Sequence, residues 1–180
     1  MAKQGFLGSL ATITLNSKLA RLAIALHAET IMKDAILCWV KEAEQIIPAY
    51  QGEARGSIQP AADIVNYTVK DWGQVFNTAQ RDNRKPLWDQ GASKSSADLQ
   101  ISRLRGEYIF KWQSTVYHLA VNENANVNHQ MGYRLINPGA YDFRSQANAE
   151  FERCLKASIA KFPLSSLILK NLKVRTVRIG

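Results

Sequence analysis

The chain has 180 residues, and 46% of them are apolar. That is enough for one hydrophobic core and excludes wholesale disorder. Lysine and arginine outnumber aspartate and glutamate by 23 to 15, a formal charge of +8, and no run reaches the ~20 apolar residues a membrane-spanning helix needs. The excess sits at the end. Arg153, Lys156, Lys161, Lys170, Lys173, Arg175 and Arg178 face no acidic residue between Arg153 and Gly180. Such a field attracts an acidic partner over ~8 Å at physiological salt, whether nucleic acid, anionic membrane or acidic protein surface.

Met1 to Leu7 lacks the long apolar run of a signal peptide, which predicts a cytoplasm-like solvent. Cys38 and Cys154 both lie among apolar residues in helical patterns. Each reads as a small buried hydrophobe in a reduced compartment, with nothing that calls for a bridge.

An apolar lead runs from Gly5 to Leu15, and Asn16-Ser17 offers capping oxygens for a helix start. From there to Ile47 there is no Gly or Pro, which predicts one long helix. Leu15, Leu19, Leu22 and Leu26 form one stripe; Ile36, Val40, Ala43 and Ile47 form another. The two lie about 80° apart at 3.6 residues per turn. Ile24, Ala28, Ile31 and Ala35 fall between them. So broad an apolar face fits a central helix buried on two sides, or one shared between its own core and a neighbouring subunit.

Pro48 ends this helix, and a second short one is expected over Ala61 to Tyr67. Between Trp72 and Ser102 periodicity fails, and 72–102 is expected to be an extended loop or arm. Its Trp72, Phe76 and Trp88 are interface candidates to be covered by a partner. Tyr108 to Val121 is dense in aromatic and β-branched residues, suiting two strands or one bent strand, closed by a turn at Asn122 to Asn126. Asn137-Pro138-Gly139 marks another turn. Tyr141 to Phe162 carries Phe143, Ala147, Phe151, Cys154, Leu155 and Ile159 on one helical face, and Leu172 to Ile179 favours a strand. The order predicts a single α+β domain over 1–180, with an N-terminal and a C-terminal helix on a small antiparallel sheet.

Catalytic chemistry finds few candidates. His27, His118 and His129 are scattered, without HExxH, His-x-His or paired Cys/His spacing, and no Gly-x-Ser-x-Gly elbow occurs. Asp98, Glu107, Glu123 and Asp142 show no pairing by spacing. Gly52 to Ser57 lacks the lysine and spacing of a phosphate loop and reads as a helix-terminating turn. The expectation is a non-enzymatic chain with no catalytic residues, metal or cofactor. Arg105, Tyr108, Phe110, Lys111 and Trp112 interleave cations with aromatics, as a nucleic-acid-binding sheet would, so a basic nucleic-acid-binding module is the alternative.

Three stretches carry a family resemblance. Ala43 to Ser57, with Pro48, Gly52, Arg55 and Ser57 in order, resembles the helix–Pro–x–x–x–Gly–x–x–Arg–x–Ser passage of tail-completion (head–tail joining) proteins of long-tailed bacteriophages. Phe110 to Asn124 is similar to the strand ending in an Asn-Glu turn in that family. Gly139 to Phe143 is similar to the opening of its final helix. Gln51, where the family often has Thr or Ser, and the long 72–102 segment depart from the pattern.

The resemblance implies a structural virion protein at the neck, assembled in the host cytoplasm. It implies copies that join as a ring, commonly a hexamer, between the portal or connector and the tail tube or tail terminator, around passing double-stranded DNA. A tail terminator or a head-completion ring is the different neck component that the departures allow. By position, Arg55, Asn122 and Glu123 take interface or turn-stabilising roles. The basic tail, with Arg175 and Arg178, would meet the acidic lumen or rim of a neighbouring ring first, or else screen the passing DNA, and no membrane partner is implied.

Overall fold

The computed structural model describes residues 7–47, 52–70, 78–117, 119 and 143–179. Its centre is the segment that the sequence presents as an apolar lead. Leu7–Leu15 is strand β1, flanked on both sides, with inward Leu7, Ser9, Ala11, Ile13 and Leu15 alternating with half-exposed Leu10, Thr12 and Thr14. Strands β2 (Ser95–Ser102), β3 (Glu107–Ser114) and β4 (Leu172–Ile179) complete a sheet of order β2-β3-β1-β4, antiparallel throughout. Ile13 lies opposite Tyr108 on one side and Val174 on the other. The fold is α+β, as the order of elements predicts.

The expected long helix is two helices. Ser17 caps α1 (Lys18–Ile24), its Oγ accepting from the Ala20 N–H at 3.4 Å. The chain then tightens, with the His27 N–H donating to the Ile24 carbonyl at 2.8 Å, before α2 (Ala28–Ile46) begins. No Gly or Pro marks this break, so the apolar periodicity runs straight through it. A tertiary contact lies at the break, where the His27 ring stacks on Phe162 at 4.5 Å, while the Arg21 Nε donates to the Leu15 carbonyl at 2.8 Å and ties α1 to the end of β1.

Short helices α3 (Glu53–Gly56) and α4 (Gln59–Ile64) follow, the latter earlier than the expected 61–67. The expected loop arm is also different where it is described. Thr78–Ser93 is helix α5, with Pro86 inside it, and Ser95–Ser102 is the edge strand β2. Pro86 costs one intrahelical hydrogen bond, which is why the pattern reads as broken. Helix α6 (Phe143–Ile159) lies within the expected 141–162, and α7 (Ser165–Asn171) was not legible in advance. His118, the turns at 122–126 and 137–139, and Tyr141 lie outside the described residues.

Helices α2 and α6 pack together over one face of the sheet. Between them Trp39, Phe110, Trp112, Phe143 and Phe151 form a fully buried aromatic cluster. Trp39 meets Phe110 edge-on at 5.5 Å, Phe110 stacks on Phe151 at 5.8 Å, and Trp112 meets Phe143 edge-on at 5.8 Å. Burying a side chain such as Phe110 or Phe151 stabilises by about 1.5–3 kcal/mol relative to exposure. Two buried donors are paired: the Trp112 indole N–H donates to the Ser57 carbonyl at 3.0 Å, and Arg144 Nη1 donates to the carbonyls of Gly8 (3.1 Å) and Ile179 (2.8 Å), tying α6 to the ends of β1 and β4.

Candidate assembly surface

The two apolar stripes of the first helical stretch part company. Ile36, Val40, Ala43 and Ile47 are wholly buried, as is the Ile24, Ala28, Ile31 and Ala35 face. Leu15 is buried in β1, but Leu19, Leu22 and Leu26 point outward, 67%, 64% and 85% exposed. Leu104 (95%) and Leu164 (62%) join them, with Leu169 less open. The core has taken one stripe and left the other to solvent.

Arg55, singled out for an interface or turn role, is buried in a turn-holding geometry. Its Nε and Nη2 donate to the Ile47 carbonyl at 3.2 and 2.7 Å, and its Nη1 to the Lys70 carbonyl at 3.2 Å. Ile47 caps the C-terminus of α2, so the guanidinium satisfies an orphan carbonyl where the helix dipole is negative. Trp88 is half-buried against the core, and its carbonyl lies against Gly56. Arg175 and Arg178 are exposed on edge strand β4. Trp72, Phe76, Asn122 and Glu123 lie outside the described residues.

Beside Arg55 is a cavity of about 460 Å³ lined by Lys41, Glu44, Gln45, Arg55, Tyr67 and Lys70. The buried Glu44 carboxylate accepts from the Tyr67 hydroxyl at 2.7 Å and from the Lys70 backbone N–H. The Lys41 ammonium stands 5.8 Å from the centre of the Tyr67 ring. Burial, then the hydrogen bond to Glu44 and that carboxylate's charge, push the Tyr67 phenol up to about 12. Glu44 thus serves as an acceptor that fixes the 67–70 segment on α2. This cluster is not legible in the sequence, because Glu44 and Tyr67 are 23 residues apart.

The sheet's other face is open to solvent. Lys111 lies opposite Asp98 and Leu10, Thr12 is opposite Arg175, and Thr14 is opposite Lys173. The aromatics proposed for base stacking are on the opposite face: Tyr108, Phe110 and Trp112 are core residues. What remains outside mixes Lys111, Lys173 and Arg175 with Asp98 and Glu107 and has no aromatic platforms, so it does not suit base stacking.

Cys38 on α2 and Cys154 on α6 are bonded to each other, with Cα atoms 6.5 Å apart, and both are half-buried. This corrects the expectation of two separate buried thiols. The pattern of each helix placed its cysteine beside the core, but only the packing of α2 on α6 sets the two facing. With Glu150 they form the one group among the described residues whose ligand atoms lie close enough for a metal ion. Bonded sulfurs present no thiolate, and Glu150 is held by Arg153, whose Nε donates to it at 2.8 Å and keeps its carboxyl below the usual range. Among the described residues no helix is long and apolar enough to cross a membrane.

Comparison with protein-family models, with curated proteins and with solved structures found no match.

Proposed function

We propose that the chain is a structural subunit of a tailed-phage neck, joining connector to tail as part of a ring around the DNA channel. The observation that carries the reading is the outward leucine row Leu19, Leu22 and Leu26. A surface this apolar is covered when the chain meets a neighbouring component of an assembly, here the connector or the tail. The resemblance of Ala43 to Ser57 to the head–tail joining passage supplies the particular assembly. Arg55, the arginine of that passage, holds the turn after α2, a role consistent with a recurring structural position.

The test is imaging by negative stain of the purified chain, alone and with a connector, together with analysis of virion composition. Rings, or rings only on the connector, are expected, with the chain present in mature particles. A chain that stays monomeric in both conditions and is missing from particles would overturn the reading.

A second reading, non-specific binding to double-stranded DNA, draws on Lys111, Lys173 and Arg175 on the open sheet face. It predicts retention on DNA that falls steeply with salt as counterions are released. No retention at low salt removes it.

A further inference from the structure

Apart from Tyr117, every large apolar side chain exposed among the described residues is a leucine on α1 or on a segment touching it. Leu19 and Leu22 are on α1, and Leu26 is in the turn after it. Leu169 is on α7, which packs on α1 and whose Asn171 carbonyl accepts from the Asn16 N–H at 3.2 Å. Leu164 follows Phe162, the ring stacked on His27. Leu104 tips the β2–β3 turn, where the Gly106 carbonyl accepts from the Leu15 N–H at 2.9 Å and any Cβ at Gly106 would sit 2.5 Å from Arg21 Cγ.

The same segments are purely basic. Residues 16–27, 103–106 and 160–171 contain Lys18, Arg21, Arg103, Arg105, Lys161 and Lys170 and no aspartate or glutamate. None of Lys18, Arg105, Lys161 and Lys170 forms an ion pair among the described residues. We infer that this end of the molecule is the docking surface for an acidic amphipathic helix of a different protein. Leu19, Leu22 and Leu26 would form the apolar ridge, and the surrounding cations would meet the carboxylates. The inference rests on the assembly reading and names the chemistry of one partner.

Charge complementarity selects that occupant. A second copy of this chain brings cations to cations if the same end is used twice. A lipid surface also accepts leucine among cations, and anionic vesicles are therefore one arm of the test. Leu19 and Leu22, three residues apart on α1, share one helical face, and Leu26 in the turn after it extends the apolar surface that a partner helix can pack against.

The test uses the full chain and a synthetic helix of alternating leucine and glutamate faces, with a scrambled peptide of equal composition as control. Binding is followed by fluorescence anisotropy at two salt concentrations. Saturable binding is expected, weaker in high salt and absent with the scrambled peptide. Leu22→Glu with Leu26→Glu should weaken it at least about tenfold, equivalent to ~1.4 kcal/mol, and so should Lys18→Glu with Lys170→Glu. Lys156→Glu on α6 is the charge control and should change little, and thermal melts of each variant confirm that it folds.

No binding of the acidic peptide, equal binding of the scrambled one, or indifference to the leucine variants overturns the inference. So does binding only to phosphatidylglycerol vesicles, or self-association in sedimentation that the leucine variants abolish. Rings that still form while the peptide fails to bind would overturn this inference alone. Peptide binding by a chain that never enters a particle would overturn the neck reading alone.

Discussion

The Trp39 indole N–H on α2 donates to the Asn148 Oδ1 on α6 at 3.0 Å, inside the aromatic cluster. The bond ties the two long helices at the point where neither group reaches water. Asn148→Leu keeps the volume but leaves the indole N–H buried without an acceptor. The expected loss is about 1–3 kcal/mol, read as a lower midpoint in chemical denaturation. Adding Trp39→Phe removes the stranded donor, so the double variant should lose less than the sum of the singles. Strict additivity would mean that the bond contributes nothing.

Tyr67 sets a stability limit at high pH. Its phenol ionises near 12 in the folded chain, chiefly because burial disfavours the phenolate and next because it donates to Glu44. An unfolded tyrosine ionises near 10, so both states are protonated below that pH and the contribution is complete. Between 10 and 12 the unfolded chain releases the proton first, and stability falls as pH rises. Absorbance titration at the phenolate band should show one late-titrating tyrosine fewer in Tyr67→Phe, while Tyr108, which burial also pushes up, still titrates late. That variant should also lose less stability than the parent between pH 10 and 12.

The Cys38–Cys154 bridge closes a separation of 116 residues between α2 and α6. Cross-linking so long a loop restricts the unfolded chain, typically worth about 2–4 kcal/mol. Non-reduced protein should have a mass lower by two hydrogens than reduced protein. Reductant should lower the melting temperature, Cys38→Ser with Cys154→Ser should reproduce that loss, and reductant should then have no further effect. Two titratable thiols in protein kept under air would contradict the bridge.

These features were unequally legible in the sequence. The Ile36, Val40, Ala43 and Ile47 stripe is read from spacing alone and is buried. So is most of the Phe143 to Ile159 face, because long helices with one apolar side announce themselves by period. The Leu172–Ile179 strand is also legible, and its change of phase has a cause: Val174 faces the core while Val177 lies opposite Leu10 on the open face.

What failed was non-local. Leu7–Leu15 looks like a lead because nothing nearby pairs with it; its partners β3 and β4 come about a hundred residues or more later. The leucine row was visible as a pattern, but whether it faced core or solvent depended on the break at residues 25–27, where His27 stacks on Phe162. Arg55 was marked by resemblance, yet its role as a cap for α2 needed the fold to bring Ile47 and Lys70 to it.

Helix α5 was concealed by Pro86 and by a run of small residues, and the smallest of these explains the packing. A Cβ on Gly91 would stand 2.0 Å from the Glu53 carbonyl oxygen, and one on Gly56 would stand 2.3 Å from that of Trp88. Each of α3 and α5 thus presents a glycine to the other's backbone, a contact that backbone cannot yield cheaply. Gly91→Ala and Gly56→Ala should each destabilise by about 1–3 kcal/mol, the usual cost of overpacking, or more. Ser93→Ala, exposed at the end of α5, should fall within about 0.5 kcal/mol of the parent. Hydrogen exchange locates the effect: faster exchange in 53–56 and 78–93, with α2 and α6 unchanged, is expected if α5 detaches as a unit. Unchanged exchange and stability in Gly91→Ala would show that α3 and α5 do not approach this closely.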